Sequence, residues 1–128
     1  MYVCIDFDGT IVDHEYPEIG KPVPKAIDWL LRLQDRGALL ILWTMRSDSE
    51  EASLLSNAVQ YLEENGVVLS GINENPGQAE WTSSPKAYAD VYVDDSAAGC
   101  PLIQPLGFKR PCVNWKKIGP IVDKMLYP

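Results

Sequence analysis

Short apolar runs alternate along this chain with longer stretches of helical periodicity. Tyr2 to Ile5 is an apolar run that stops abruptly at acids. Residues 13–23 hold Gly and Pro and read as a loop or small hairpin. Pro24 suits the first turn of a helix whose apolar face is Ala26, Ile27, Leu30, Leu31 and Leu33, and Gly37 after Arg36 provides its stop. Ala38 to Trp43 is apolar throughout, as expected of a strand covered on both faces. Ser47 with Glu50 fits a capping box, which places Glu50 and Glu51 in the first turn of a second helix carrying Leu54, Leu55, Ala58, Val59 and Leu62 as far as Gly66. Val67 to Leu69 reads as a third strand, residues 73–85 as a loop rich in breakers, and Val91 to Val93 as a fourth strand, again ending in acids. Beyond it, Pro101, Pro105 and Pro111 leave room for at most a short edge strand around Leu102-Ile103. Asn114 caps a last helix bearing Ile118, Ile121, Val122, Met125 and Leu126, which starts either at Trp115 or at Pro120.

This order predicts an α/β fold: a three-layer α/β/α, Rossmann-like parallel sheet with helices on both faces and right-handed crossovers. At 128 residues the chain is expected to form one domain, 1–128, large enough for one core. Ligands of such sheets sit beyond the carboxyl ends of the strands. Asp6 and Asp8, Thr44 and Arg46, and Asp94 and Asp95 all fall at such ends, so residues far apart in sequence converge on one crevice.

The convergence changes what the acids mean. Asp6 and Asp8, two residues apart at a strand end, leave the same side of the chain and repel unless a cation or a shared proton intervenes. An Asp-Gly turn would account for one of them, not both. Clustered carboxylates suit Mg²⁺, and a hydroxyl, a lysine such as Lys86 and backbone N–H groups suit a phosphoryl group. A carboxylate can itself attack phosphorus, and a second one can move the leaving group's proton.

Composition narrows the setting. Lys and Arg number 11 and Asp and Glu 18, a net charge of −7, which argues against general affinity for nucleic-acid backbones or anionic membranes. Cys4, Cys100 and Cys112 are widely spaced, fit no metal-ligand pattern and, being odd in number, suggest reduced thiols in a cytoplasmic setting. No export signal and no membrane-spanning run is visible.

Asp6-Phe7-Asp8-Gly9-Thr10 resembles the first motif of the haloacid dehalogenase-like hydrolases, in the DxDGT form typical of that family's phosphatases. The resemblance continues in order with the apolar strand ending at Thr44, with Lys86, and with Val93-Asp94-Asp95, and so spans residues 6 to 95. It implies a Mg²⁺-dependent phosphatase acting through an aspartyl-phosphate. Asp6 would be the nucleophile and Asp8 the general acid/base. Mg²⁺ would be held by Asp6, the Asp8 carbonyl and Asp95, with Asp94 orienting Lys86 or a metal-bound water, or acting as the alternative ligand. Thr44 would bind a phosphoryl oxygen, Lys86 would neutralise charge, and Arg46 reads either as a substrate ligand or as the partner of a surface acid such as Asp48. His14 and Tyr16 read as solvated loop residues within reach of substrate, and Trp43 as core.

The spacing leaves no room for the cap domains of larger family members. The flap at 14–21, the 73–85 loop or a neighbouring subunit of a homo-oligomer would then have to cover the site. A small phosphate ester, such as a nucleotide, is the expected substrate. The alternatives are a polynucleotide 3′-phosphatase, against which the charge counts, and a non-catalytic binding module, against which the intact acids count.

Overall fold

The protein is described by a computed structural model covering residues 1–128. Four strands, β1 (Tyr2–Ile5), β2 (Leu39–Leu42), β3 (Leu69–Ile72) and β4 (Val91–Val93), form a parallel sheet in the order β3-β2-β1-β4. Helices α1 (Ala26–Asp35), α2 (Leu54–Glu64) and α3 (Trp115–Leu126) complete an α/β, Rossmann-like fold. The chain steps from β1 to β2 to β3 in one direction and then returns to lay β4 against the other side of β1. That reversal is the switch point at which such sheets open a crevice.

Alternation along the strands divides the core. Val3, Ile5, Leu40, Leu42, Val91 and Val93 face a large cluster that takes in the buried residues of all three helices. Cys4 and Ile41 face the other way and meet Ala87 and Ala89, with Tyr2 and Trp43 packed alongside. The second outer layer is therefore thin and holds no α-helix, whereas the sequence reading expected helices on both faces. It is made by the connection from β3 to β4, which contains one 3₁₀ turn (Pro76–Glu80). Two buried amides hold this breaker-rich stretch in place. Asn75 Nδ2 donates to the Tyr88 carbonyl (3.1 Å), while Gln78 donates to the carbonyls of Ser84 (3.1 Å) and Lys86 (2.9 Å) and accepts from Tyr88 N (2.7 Å).

Several boundaries differ from the sequence reading, each for a local reason. Helix α1 begins at Ala26 and not at Pro24, because Lys25 adopts a left-handed conformation (φ 68°) and turns the chain before the helix. The capping box does not form. Asp48 instead accepts from both N and Oγ of Ser56, so α2 starts at Leu54 and its first turn holds no acid. Strand β3 lies two residues later than expected, at Leu69–Ile72, since Gly71 lets the Glu74 carbonyl fold back against the strand. Leu102–Ile103 does form a strand, β5, but it pairs antiparallel with β6 (Cys112–Val113) and not with the main sheet. The last helix starts at Trp115; the Asn114 carbonyl, not its side chain, accepts from Lys117 N and Ile118 N. Gly37 (φ 98°) and Gly66 (φ 84°) end their helices in the left-handed conformation, as read.

All three cysteines are free, and burial raises the Cys4 and Cys112 thiols to about 11, as for inert core residues. No helix is long and apolar enough to cross a membrane.

Candidate active site

Pairing between β1 and β4 builds the site. Ile5 lies opposite Val93, and Asp6 N donates to the Val93 carbonyl at 3.0 Å, so the acids that follow each strand emerge side by side. Carboxylate oxygens of Asp6, Asp94 and Asp95 lie within 4.8 Å of one another. The Asp6 carboxyl is pushed up to about 8, first by burial, then by its hydrogen bond with Asp95 and by the negative charge of Asp94.

Thr10 joins the two ends of the cluster. Its hydroxyl lies 3.2 Å from Asp6 Oδ2 and 3.4 Å from Asp95 Oδ1, donating to one at a time, and accepts from Asp95 N at 3.2 Å. Thr10 is fully buried, and its carbonyl accepts from Trp115 Nε1 at 2.7 Å, which ties the start of α3 to the acidic loop. His14 Nε2 sits 3.0 Å from Asp95 Oδ2. Between them lies Gly9 at φ 82°, where a Cβ would collide with both the imidazole and the Asp95 carboxylate. Glycine is needed here for close approach as well as for its backbone angle.

Asp8 points to Arg46. Nε donates to Oδ2 and Nη2 to Oδ1, both at 2.8 Å. The same guanidinium donates to the carbonyls of Pro17 (Nη1, 3.1 Å) and Glu18 (Nη2, 2.8 Å), and it lies between the rings of Phe7 and Tyr16. Arg46 is 2% exposed. It therefore does not face a substrate, and it does not pair with Asp48, which holds Ser56. Its donors are spent on Asp8 and on the flap.

Asp6 and Asp94 open onto a cleft of about 330 Å³, also lined by Trp43, Thr44, Met45 and Asn73. Thr44 N donates to Asn73 Oδ1 (2.8 Å), and Thr44 Oγ1 accepts from Arg46 N (3.1 Å). Asn73 is left-handed (φ 54°), a conformation Asn tolerates better than most residues, and so closes the turn after β3 against the end of β2. Trp43 packs on the smaller core cluster and walls the cleft as well. Lys86 is not drawn into contact with the acids. It is exposed, its Nζ lies over the Tyr92 ring (5.1 Å to the centroid), and no carboxylate is within 4.0 Å of it.

Of the residues expected from sequence, Asp6, Thr44 and Asp94 line the cleft together, with Asp95 directly behind. Asp8 lies beside them, turned to Arg46. Thr10, His14 and Asn73 are contributors whose roles sequence reasoning missed. Thr10 stood inside the first motif, and the left-handed turn after a strand was a signal for Asn73, but nothing local marked His14. The donor set is all oxygen. The Asp8 carbonyl takes no part in the loop's main-chain hydrogen bonds, which use the Phe7 and Val12 carbonyls. Three carboxylates and a free carbonyl match the hard-oxygen preference of Mg²⁺.

No protein-family model and no curated protein matches the chain. Among solved structures, a conserved protein from Bacteroides thetaiotaomicron is similar over 100% of this chain and 98% of that one, with a TM-score of 0.76 and 29% sequence identity. The similarity covers the whole fold described above, including every strand that carries a site residue.

Proposed function

We propose that the chain is a haloacid dehalogenase-like phosphatase that hydrolyses a small phosphate monoester with the help of Mg²⁺. The observation that carries this reading is the gathering of Asp6, Asp94 and Asp95 within 4.8 Å at the sheet's switch point, where three carboxylates have no structural reason to crowd.

In this reading Asp6 is the nucleophile, and its carboxylate oxygen forms a bond to phosphorus as the ester oxygen departs. Asp6, the Asp8 carbonyl and Asp95 or Asp94 would hold the cation, which supplies charge neutralisation for both nucleophile and phosphoryl oxygens. Asp8 would give a proton to the leaving oxygen and later take one from water only after turning an oxygen from Arg46, which holds both of its oxygens in the structure, toward the cleft. Thr44 offers a hydroxyl at the cleft wall for a phosphoryl oxygen. Lys86 serves the same charge only after leaving the Tyr92 ring. Tyr92 lies on β4 and Asp94 just past its end, two residues apart and on the same side of the chain, which is the direction the lysine would swing.

No lysine or arginine lines the cleft, which gives a polynucleotide 3′-phosphatase little to hold its substrate with. The test is hydrolysis of p-nitrophenyl phosphate. EDTA should silence the protein and added Mg²⁺ restore it. Asp6→Asn should abolish turnover while circular dichroism stays unchanged. Full activity in Asp6→Asn, or turnover indifferent to EDTA, would overturn the reading.

A further inference from the structure

The cleft beside Asp6 has two unlike kinds of lining. One is apolar: Trp43 at the end of β2 and Met45, which at 97% exposed is supported by no other part of the fold. The other is polar and acidic: Asp94, Asn73 and Thr44. We propose that this cleft holds the leaving group of the phosphate ester, and that it selects an uncharged, ring-bearing alcohol, of which a nucleoside is one kind, over one carrying a second anion. The inference rests on the phosphatase reading and adds the substrate class.

Size and chemistry both point this way. About 330 Å³ is near the lower end of the ~300–1,000 Å³ typical of small-molecule pockets, enough for one or two rings. Half-buried Trp43 contributes aromatic surface to the lining, and the flexible, polarizable Met45 thioether adapts to whatever ring lies against it. An acyclic leaving group would leave both uncovered.

Charge excludes the other class. The cleft is lined by Asp6 and Asp94 with Asp95 behind them, and no cation shares the lining. Arg46 is buried and committed to Asp8 and the Pro17 and Glu18 carbonyls. The His14 imidazole is engaged with Asp95. Lys86, over Tyr92, is the remaining side chain that could move, and the transferred phosphoryl group claims it first. The carboxylates that hold Mg²⁺ and the phosphoryl group would already share it, so a second phosphate or a carboxylate on the leaving group would enter a cleft of its own sign with no cation left to pair with.

The test compares three esters of similar alcohols on the full chain with Mg²⁺: benzyl phosphate, 4-carboxybenzyl phosphate and ethyl phosphate. Benzyl phosphate should exceed each of the others in kcat/KM by on the order of tenfold, through lost ring contact in one case and charge repulsion in the other. Met45→Lys places a cation on the cleft wall at an exposed position where folding is not at risk, and should narrow or reverse the gap between the benzyl and 4-carboxybenzyl esters. Equal kcat/KM for all three, or a Met45→Lys chain with the wild-type ratio, overturns the inference and leaves the phosphatase reading standing. Hydrolysis of none of them overturns the inference, and it removes the phosphatase reading too when p-nitrophenyl phosphate is also left intact.

Discussion

Asp6 carries the sharpest consequence at the scale of single residues. Its carboxyl is raised to about 8 from an ordinary 3.8, so between those values the folded chain keeps a proton that the unfolded chain has released. The folded state then binds more protons than the unfolded one, and stability must fall as pH rises through that window. Cation binding requires the ionised carboxylates and so works against the same proton. In EDTA, urea unfolding should therefore show lower stability at pH 8 than at pH 5. Mg²⁺ should stabilise the chain more at pH 8 than at pH 5. An equal Mg²⁺ effect at both would mean that Asp6 is not among the groups that hold the cation.

Arg46 matters at the scale of elements, because one side chain links the end of β2, the loop after β1 and the flap at 17–18. Arg46→Met keeps the volume but strips Asp8 of its partner and leaves the Pro17 and Glu18 carbonyls without their donor. Breaking a buried pair costs ~3–5 kcal/mol, and the lower end applies because Asp8 is 19% exposed and keeps some water. Arg46→Lys retains the charge without the two-pronged geometry and should lose less. Urea denaturation checks both, and an Arg46→Met chain within about 0.5 kcal/mol of wild type would contradict the latch. The sequence disclosed the ends of these elements better than their links. Periodicity located β1, β2, β4 and all three helices because each has a buried face of its own, whereas β3 has no buried residue and met its expected run only at Leu69. The parallel order then brought Asp6, Thr44 and Asp94 to one edge. What periodicity could not supply was the partner of a polar side chain. Arg46 finds two carbonyls in a flap that has no pattern, Asp48 takes the serine that prevents a capping box, and Lys86 lies over a tyrosine on the neighbouring strand. Strand β3 slipped by two residues for the same kind of reason, since the fit between Gly71 and the Glu74 carbonyl has no periodic trace.

On the scale of the whole molecule, the fold spends few residues on anything except the crevice. Three helices cover one face of the sheet, a connection stitched by Asn75 and Gln78 covers the other, and the β5–β6 ribbon leads Trp115 back under Thr10. With no cap, Asp6 and Asp94 meet solvent through a cleft, and the three clustered acids are the part of the −7 net charge that a cation there would relieve. Such an arrangement is coherent if Asp6 becomes phosphorylated during turnover. The chain can be mixed with Mg²⁺ and benzyl phosphate, quenched in acid, digested and mapped by mass spectrometry. A phosphoryl group should then be found on the peptide bearing Asp6, and not in Asp6→Asn. Steady release of phosphate by a chain that never carries the label on Asp6, or carries it on another residue, would contradict the account.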